Sequence, residues 1–387
     1  MSRLDPYDAV VVGAGVVGCS AAFHLARLGV TRVAIVEREP LPGSGSTSKA
    51  NGGIRAQFTT RPNIAMSLLS MAILDELAED IGQPPLYRKA GYLFLTCRPE
   101  RLRAMTEAAE FQRSCGVAVE ILDAAAARRA APYVAGDDLV GGTFGERDGF
   151  LDPGGIANYF LRRAVRAGVQ LRCGAAVERI EPAAGGGLAV HTSTGSVRAP
   201  AVVLAAGPWT GVVAALAGAR IPVEPVRRHI LVTGPCRTLP AVIPMTIDAD
   251  TGVLIRREGD RVVVAWSNAD EPPGFHTEFD EDFPPRVAEP LERRFPQVAD
   301  AGIDLRRSWA GLYEVTPDHH AVLGAIDDVP GLFVAGGFSG HGVMHAPAAG
   351  ACVAQLIAEG RCTRADIAPL SPSRFERGAT IHETMVL

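Results

Sequence analysis

The chain has 387 residues, 47% of them apolar and 21% charged, with a formal net charge of −5. That length supplies two or three domains' worth of core, and the mildly acidic balance excludes the basic surface that nucleic acid or an anionic membrane attracts. No stretch is long and apolar enough to read as a membrane span, and the seven scattered cysteines, none in a CxxC pair, point to neither a zinc site nor a disulfide framework.

The opening residues MSRLDPYD lack the basic and then apolar layout of a secretion signal. Buried thiols in a reducing cytoplasm are therefore the expected setting. Val10 to Glu37 then read as strand, tight turn, helix and strand. The apolar run reaches Gly13, Gly15 and Gly18, a helix closes at Gly29, and a second apolar run, Val33–Val36, ends on the acid Glu37. Gly13 allows the tight turn, Gly15 lets backbone approach a pyrophosphate, and Gly18 lets the helix pack on the strand. The helix N-terminus offers free N–H groups to phosphates. Glu37 stands where a carboxylate accepts hydrogen bonds from an adenosine ribose.

A Gly/Ser-rich loop follows from Gly43 to Arg55. Ile64, Leu68, Met71, Leu74 and Leu77 recur at helical spacing, and Pro84 and Pro85 break the chain. Gly91–Thr96 reads as a strand, and Pro99 to Cys115 as a helix ended by Gly116. Asp152 and Pro153 open another helix as N-cap and first-turn proline, closed by Gly168. Strands are expected at Val169–Arg172, Val177–Ile180 and Leu188–His191, and a buried strand runs into a glycine turn over Val202–Trp209. From Ile221 to Tyr313 the strands alternate, as at His229–Thr233 and in a hairpin over Gly252–Trp266 with its turn at Glu258–Asp260. A helix lies within Pro284–Phe295. Leu332–Gly342 returns to strand and glycine loop, and Val343–Glu359 reads as a helix. The three glycine-loop segments lie at the start, middle and end. They predict one discontinuous nucleotide-binding domain interrupted by a mainly antiparallel one.

Three separated segments carry a resemblance: the fingerprint ending on Glu37, GSTSKANGGIR from Gly45 to Arg55, and the pair Ser308–Gly324 with Gly336–Gly350. Together they resemble the D-amino acid oxidase type of FAD-dependent oxidoreductases, nearest the sarcosine oxidase, glycine oxidase and dimethylglycine dehydrogenase branch. The resemblance runs from Tyr7 to about Phe375. It implies an α/β (α+β) fold: a Rossmann-like FAD-binding domain over 1–85, 145–220 and 321–387, and an inserted, mainly antiparallel substrate-binding domain over 86–144 and 221–320. It also implies oxidation of the C–N bond of an amine or amino acid to an imine by hydride transfer to the flavin. O2 or another acceptor reoxidises the flavin, and the oligomeric state stays open.

By the same resemblance, Gly13, Gly15, Gly18 and Glu37 bind the ADP half of FAD, with Arg38 flanking the adenine or standing as a surface charge. Ser44, Ser46, Thr47, Lys49, Gly52 and Gly53 run past the pyrophosphate and flavin, and Val177, Ala206, Gly207 and Trp209 border the same cofactor. Gly337, Ser339, Gly340, His341, Gly342, Val343 and Met344 form the loop and helix start that face the flavin ring. Lys49 and Gly311 stand where relatives carry a tethering histidine or cysteine, so the FAD is expected to be non-covalent. Arg55 matches the arginine that grips a substrate carboxylate, with a structural ion pair as its alternative. Met344 replaces a lysine of sarcosine oxidases, which weakens that grip, argues against small amino acids and leaves a larger or less charged amine open. Tyr313 matches an active-site tyrosine, with Trp309 nearby, though both could be core aromatics. His341 is either a donor to the site or a structural histidine. Asp318, His319 and His320 read as a turn after Pro317. Two other readings stay open: a 2-hydroxy acid dehydrogenase of the same fold, with His341 as base, and a non-catalytic flavoprotein partner using Thr363–Leu387.

Overall fold

The computed structural model describes residues 5–81 and 85–384. Pro84 of the expected break, and the outermost residues of the expected domain spans, lie outside the described residues. One sheet carries the nucleotide-binding topology. Its strands run in the order Gln170–Arg172, Val33–Val36, Ala9–Val12, Ala201–Leu204, Leu332–Gly336 and Val322–Ala325. The first five are mutually parallel, and the last closes an antiparallel hairpin. Their neighbours in space come from the start, middle and end of the chain.

Both faces of this sheet are covered, which is why its central strands are unbroken apolar runs. Val11 and Val203 point towards the helices Val16–Arg27, Pro153–Arg166 and Gly342–Glu359. Val10, Val12, Val202 and Leu204 point the other way, onto Ile180, Leu188, Val190 and Val197. Those four belong to a second sheet of Asp5–Pro6, Gly195–Ala199, Leu188–Thr192 and Val177–Pro182. Helix Pro153–Arg166 starts as its sequence predicts, with the Asp152 carboxylate accepting the Gly155 N–H at 2.9 Å.

An eight-stranded sheet takes the remaining long strands: Trp309–Val315, Glu224–Val232, Arg261–Trp266, Leu254–Glu258, Met245–Asp248, Tyr92–Thr96, Gly141–Gly145 and Glu120–Asp123. All its pairings are antiparallel except that of Met245–Asp248 with Tyr92–Thr96. One face packs Leu231, Ile255, Val262 and Val264 against Phe283, Val287 and Leu291 of helix Phe283–Arg294. The other face packs Tyr92, Phe94, Met245, Ile247 and Leu254 together and lines cavities with Arg228, Ile230 and Tyr313. A small sheet of Gly53–Ile54, Gly149–Leu151 and Tyr87–Arg88 completes the strands. Among the described residues, no helix is long and apolar enough to cross a membrane.

The segment from Thr363 onward packs back on its own chain as far as it is described. Arg374 donates to both carboxylate oxygens of Asp318, at 2.8 and 2.9 Å, with both side chains buried. Glu383 is also buried, and it accepts from Thr59 N–H at 2.9 Å, Thr60 Oγ1 at 2.9 Å and Asn63 Nδ2 at 3.1 Å. It thereby places a negative charge at the start of helix Arg61–Glu76, the favoured end for an anion. Asp318→Ala strands the buried Arg374 cation. The expected loss is about 3–5 kcal/mol in urea unfolding, whereas a change within experimental error would show that the pair does not hold the tail.

Candidate active site

The first turn of the nucleotide-binding sheet is dictated by contact distances. Gly13 sits at φ +106°, and a Cβ there would lie 2.3 Å from the Ala205 carbonyl oxygen. A Cβ on Gly18 would lie 2.0 Å from the Gly13 oxygen. Only glycine fits at either place. Helix Val16–Arg27 then begins at Gly15 with no side-chain cap and no acid in its first turn. Glu37 fastens the loop from the neighbouring strand: its carboxylate accepts the Ala14 N–H at 2.6 Å and the Glu39 N–H at 2.8 Å. A carboxylate has about four acceptor positions, so acceptor capacity is left over for a ligand.

The Gly/Ser-rich segment departs from the expected loop. Ser46–Lys49 forms one helical turn. It is pinned by Thr47 Oγ1, which accepts the Val16 N–H at 3.0 Å, and by Ser46 Oγ, which donates to the Leu312 carbonyl at 2.7 Å. These long-range partners, not local propensity, select the turn.

A cavity of about 290 Å³ opens over these elements. It is walled by Gly13, Gly15, Glu37, Arg38, Ser46, Thr47, Lys49, Val177, Ala206, Gly207, Trp209, Gly340, Gly342 and Val343. The Arg38 guanidinium lies 4.1 Å over the Trp209 ring, which stacks on Phe275 at 5.2 Å. Gly18 packs behind the loop rather than in the wall. Ser44 is exposed and donates to the Leu41 carbonyl at 2.7 Å. Gly337 and Ser339 shape the last loop from beneath, where Ser339 Oγ accepts the Thr316 N–H at 3.1 Å. Residues 49 and 311 face each other: a Cβ on Gly311 would sit 2.6 Å from the Lys49 Cβ.

A second cavity of about 100 Å³ shares Ala50, Asn51, Arg228, Ile230, Tyr313, Gly340 and Val343 with the first. Gly52, Gly53, Arg55, His341 and Met344 wall it, together with Tyr92. No carboxylate side chain does so among the described residues. Arg55 is only 1% exposed; it donates to the Gln57 carbonyl and lies 3.8 Å over the Phe58 ring. Burial lowers its pKa, opposed by Tyr92, Glu383 and Asp148. Asp148 itself, accepting from Ala56 N–H and Gln57 Nε2 at 2.9 Å, is pushed up to about 6 by burial. Gly340 lets its loop rest on Tyr313, since a Cβ there would be 2.3 Å from the ring. Burial raises the Tyr313 phenol, opposed by Arg228 and Arg55.

His341 precedes helix Gly342–Glu359 and stands edge-on to Phe58 at 4.8 Å. Its Nδ1 is buried without a partner among the described residues. Burial first, then Arg55 and His345, holds the imidazole well below its usual pKa and therefore neutral. The Asp318–His320 turn lies apart from both cavities. His320 Nε2 meets Thr60 Oγ1 at 2.8 Å, and Asp318 is taken by Arg374. Trp309 also lies outside the walls, donating to the Lys49 carbonyl at 2.9 Å.

Two residues that the sequence did not single out stand in the walls. Arg228 borders both cavities from strand Glu224–Val232. Glu314 borders the larger one, accepts the Gly337 N–H at 2.9 Å, and is pushed up to about 7 by burial. Val226, Arg228 and Ile230 share one strand face only once the strand is known to begin at Glu224, so no local signal marked Arg228.

A helix N-terminus with no acid in its first turn, glycine walls and a strand-end carboxylate suit the pyrophosphate and ribose of a dinucleotide. The family of FAD dependent oxidoreductases matches residues 8–356. The chain belongs to that family. FAD is the cofactor, and the donor set of the larger cavity fits its ADP half. The chain is similar to FAD-dependent oxidoreductase domain-containing protein 1 of Xenopus laevis, 33% identical over 416 residues, covering 95% of this chain and 82% of that protein. It superposes on L-proline dehydrogenase from P. horikoshii with a TM-score of 0.90 and 27% identity, covering 97% of this chain and 99% of the other. Glycine oxidase from Geobacillus kaustophilus gives 0.84 and 28%, covering 96% and 99%.

Gly15 separates folding from cofactor binding, because its φ of −72° suits any residue and a Cβ there meets only Thr47 Oγ1 at 3.3 Å. Gly15→Ala is expected to leave the apoprotein's melting temperature near that of the wild type and to weaken FAD binding at least tenfold. Unchanged FAD affinity in a titration of the apoprotein would contradict the close approach assigned to this residue.

Proposed function

We propose that the enzyme oxidises the C–N bond of a small amino acid, or of an amine bearing a carboxylate, to an imine that water then hydrolyses. One observation carries the reading: a small chamber opens against the cofactor cavity and is walled by arginine and tyrosine side chains without a carboxylate among the described residues. Such a chamber favours an anionic group at one end of the ligand. The similar proteins named above, a proline dehydrogenase and a glycine oxidase, support the same class.

FAD, when bound, supplies the hydride acceptor. The chain's own residues bind and orient the substrate. A guanidinium group of the chamber holds the acid group, and the Tyr313 side chain lines the same chamber. Met344 and Val343 exclude water from one wall. Neutral His341 adds no further positive charge to the chamber. A substrate amine that enters neutral needs no base.

A 2-hydroxy acid would need one for its hydroxyl proton, and the unpartnered Nδ1 of His341 is what favours that second reading. Anaerobic mixing with glycine, proline, N-methyl and D-amino acids, and 2-hydroxy acids separates the two. Rapid bleaching of the flavin by an amino acid, retained in His341→Asn, is the expected result. Bleaching by hydroxy acids alone, lost in His341→Asn, would overturn it. Readmitting air then tells whether O2 is the acceptor. Residues 49 and 311 offer neither the histidine nor the cysteine that tethers flavin in relatives. Acid precipitation is therefore expected to leave colourless protein and a yellow supernatant, and a yellow pellet would contradict non-covalent binding.

A further inference from the structure

We infer that Arg228, rather than Arg55, anchors the acid group of the substrate. The inference rests on the amino acid reading above and names the residue that gives it specificity.

Arg228 stands at the junction of the two cavities and borders both. Across the sheet it pairs with Gly311, which has no side chain to cover it. Its Nη1 donates to the Arg227 carbonyl at 3.0 Å, its Nε is buried without a partner, and Nη2 makes no hydrogen bond among the described residues. The edge of the guanidinium formed by Nε and Nη2 thus lacks a protein acceptor. A planar carboxylate satisfies that edge with two parallel hydrogen bonds.

The charge around Arg228 is likewise unanswered. It makes no ion pair among the described residues, and burial lowers its pKa. Glu271, the acid that acts on it, is already bonded to Arg227 at 2.7 Å. Tyr313 faces it, with the Arg228 Cζ 5.4 Å from the ring. Burial lowers the pKa of Arg55 as well, but its surroundings differ. Its guanidinium lies on Phe58, donates to Gln57, and feels both Asp148 and Glu383. Two acids of the protein act on Arg55, whereas the one acid acting on Arg228, Glu271, is held by Arg227. A buried cation without a counter-ion is the less stable of the two, and burial with unmet donors in a cleft is the signature of a binding residue. Arg55 then acts as a positioning residue that sets the field across the chamber.

The test uses the FAD-loaded enzyme and propionate, a carboxylate with no amine to oxidise. Its dissociation constant is read from the change in the flavin spectrum and separately by calorimetry. The wild type is expected to bind propionate, Arg228→Gln to weaken it at least tenfold, and Arg228→Lys to weaken it less. Guanidinium ion added to Arg228→Ala is expected to restore part of the affinity, which a merely structural role would not allow. In turnover, the wild-type preference for glycine over methylamine is expected to collapse in Arg228→Gln. An Arg228→Gln enzyme that binds propionate within twofold of the wild type would overturn the inference, as would a wild type that binds no propionate. Failure of all amino acids to bleach the wild-type flavin would instead sink the amino acid reading, and the propionate measurement distinguishes the two failures.

Discussion

The structure depends on places where backbones touch through glycine. Gly13 lies against Ala205, Gly18 against Gly13, and Gly350 against Ser20, where a Cβ would be 2.2 Å from the serine Oγ. The first contact joins the opening strand to Ala201–Leu204, and the second seats helix Val16–Arg27 on the turn. The third locks helix Gly342–Glu359 onto helix Val16–Arg27. Segments more than three hundred residues apart are thereby held at a spacing that larger side chains forbid. The cofactor cavity is the space that remains at the ends of the strands once those contacts are made, the usual place for a ligand in a parallel sheet.

Electrostatics divides this space into two regions. The larger cavity includes a helix N-terminus and carboxylates in its walls, whereas the smaller one has arginine and tyrosine side chains and no carboxylate among the described residues. Glu314 works in the wall of the larger cavity. Its carboxylate holds the Gly337 N–H and so fixes the loop that leads to His341. Burial favours the protonated form of Glu314 near neutrality and the neutral form of His341. Neutral His341 leaves arginine as the fixed charge of the smaller chamber, while Glu314 borders the larger cavity. A ligand with an acid group at one end and a neutral amine at the other complements that pattern.

Much of this was legible in the residues. The glycine turn, Glu37, the Asp152 cap, the hairpin at Glu258–Asp260 and the helices after Arg61 and Pro99 are local events, with short-range causes. What escaped depends on long-range pairing. The apolar alternation begins the strand at His229, one residue beyond Arg228. The observed strand starts at Glu224, because its partner Trp309–Val315 pairs with it back to Glu224 opposite Val315. Arg228 is on a wall only because of that register. Ser46–Lys49 is helical because of partners at Val16 and Leu312. Glu383 is buried because Thr59, Thr60 and Asn63 meet it from the other end of the chain. Placing Ser44, Gly18, Gly337 and Ser339 off the cavity walls likewise required the folded loop geometry.

The central claim is that these glycine contacts build a site for a dinucleotide, with the adenosine half carried by the turn and Glu37. The most direct measurement is calorimetric titration of the apoprotein with FAD and, separately, with FMN, which lacks the adenosine half. The account predicts one FAD per chain, with FMN bound at least a hundredfold more weakly. Equal affinity for the two flavins would contradict it.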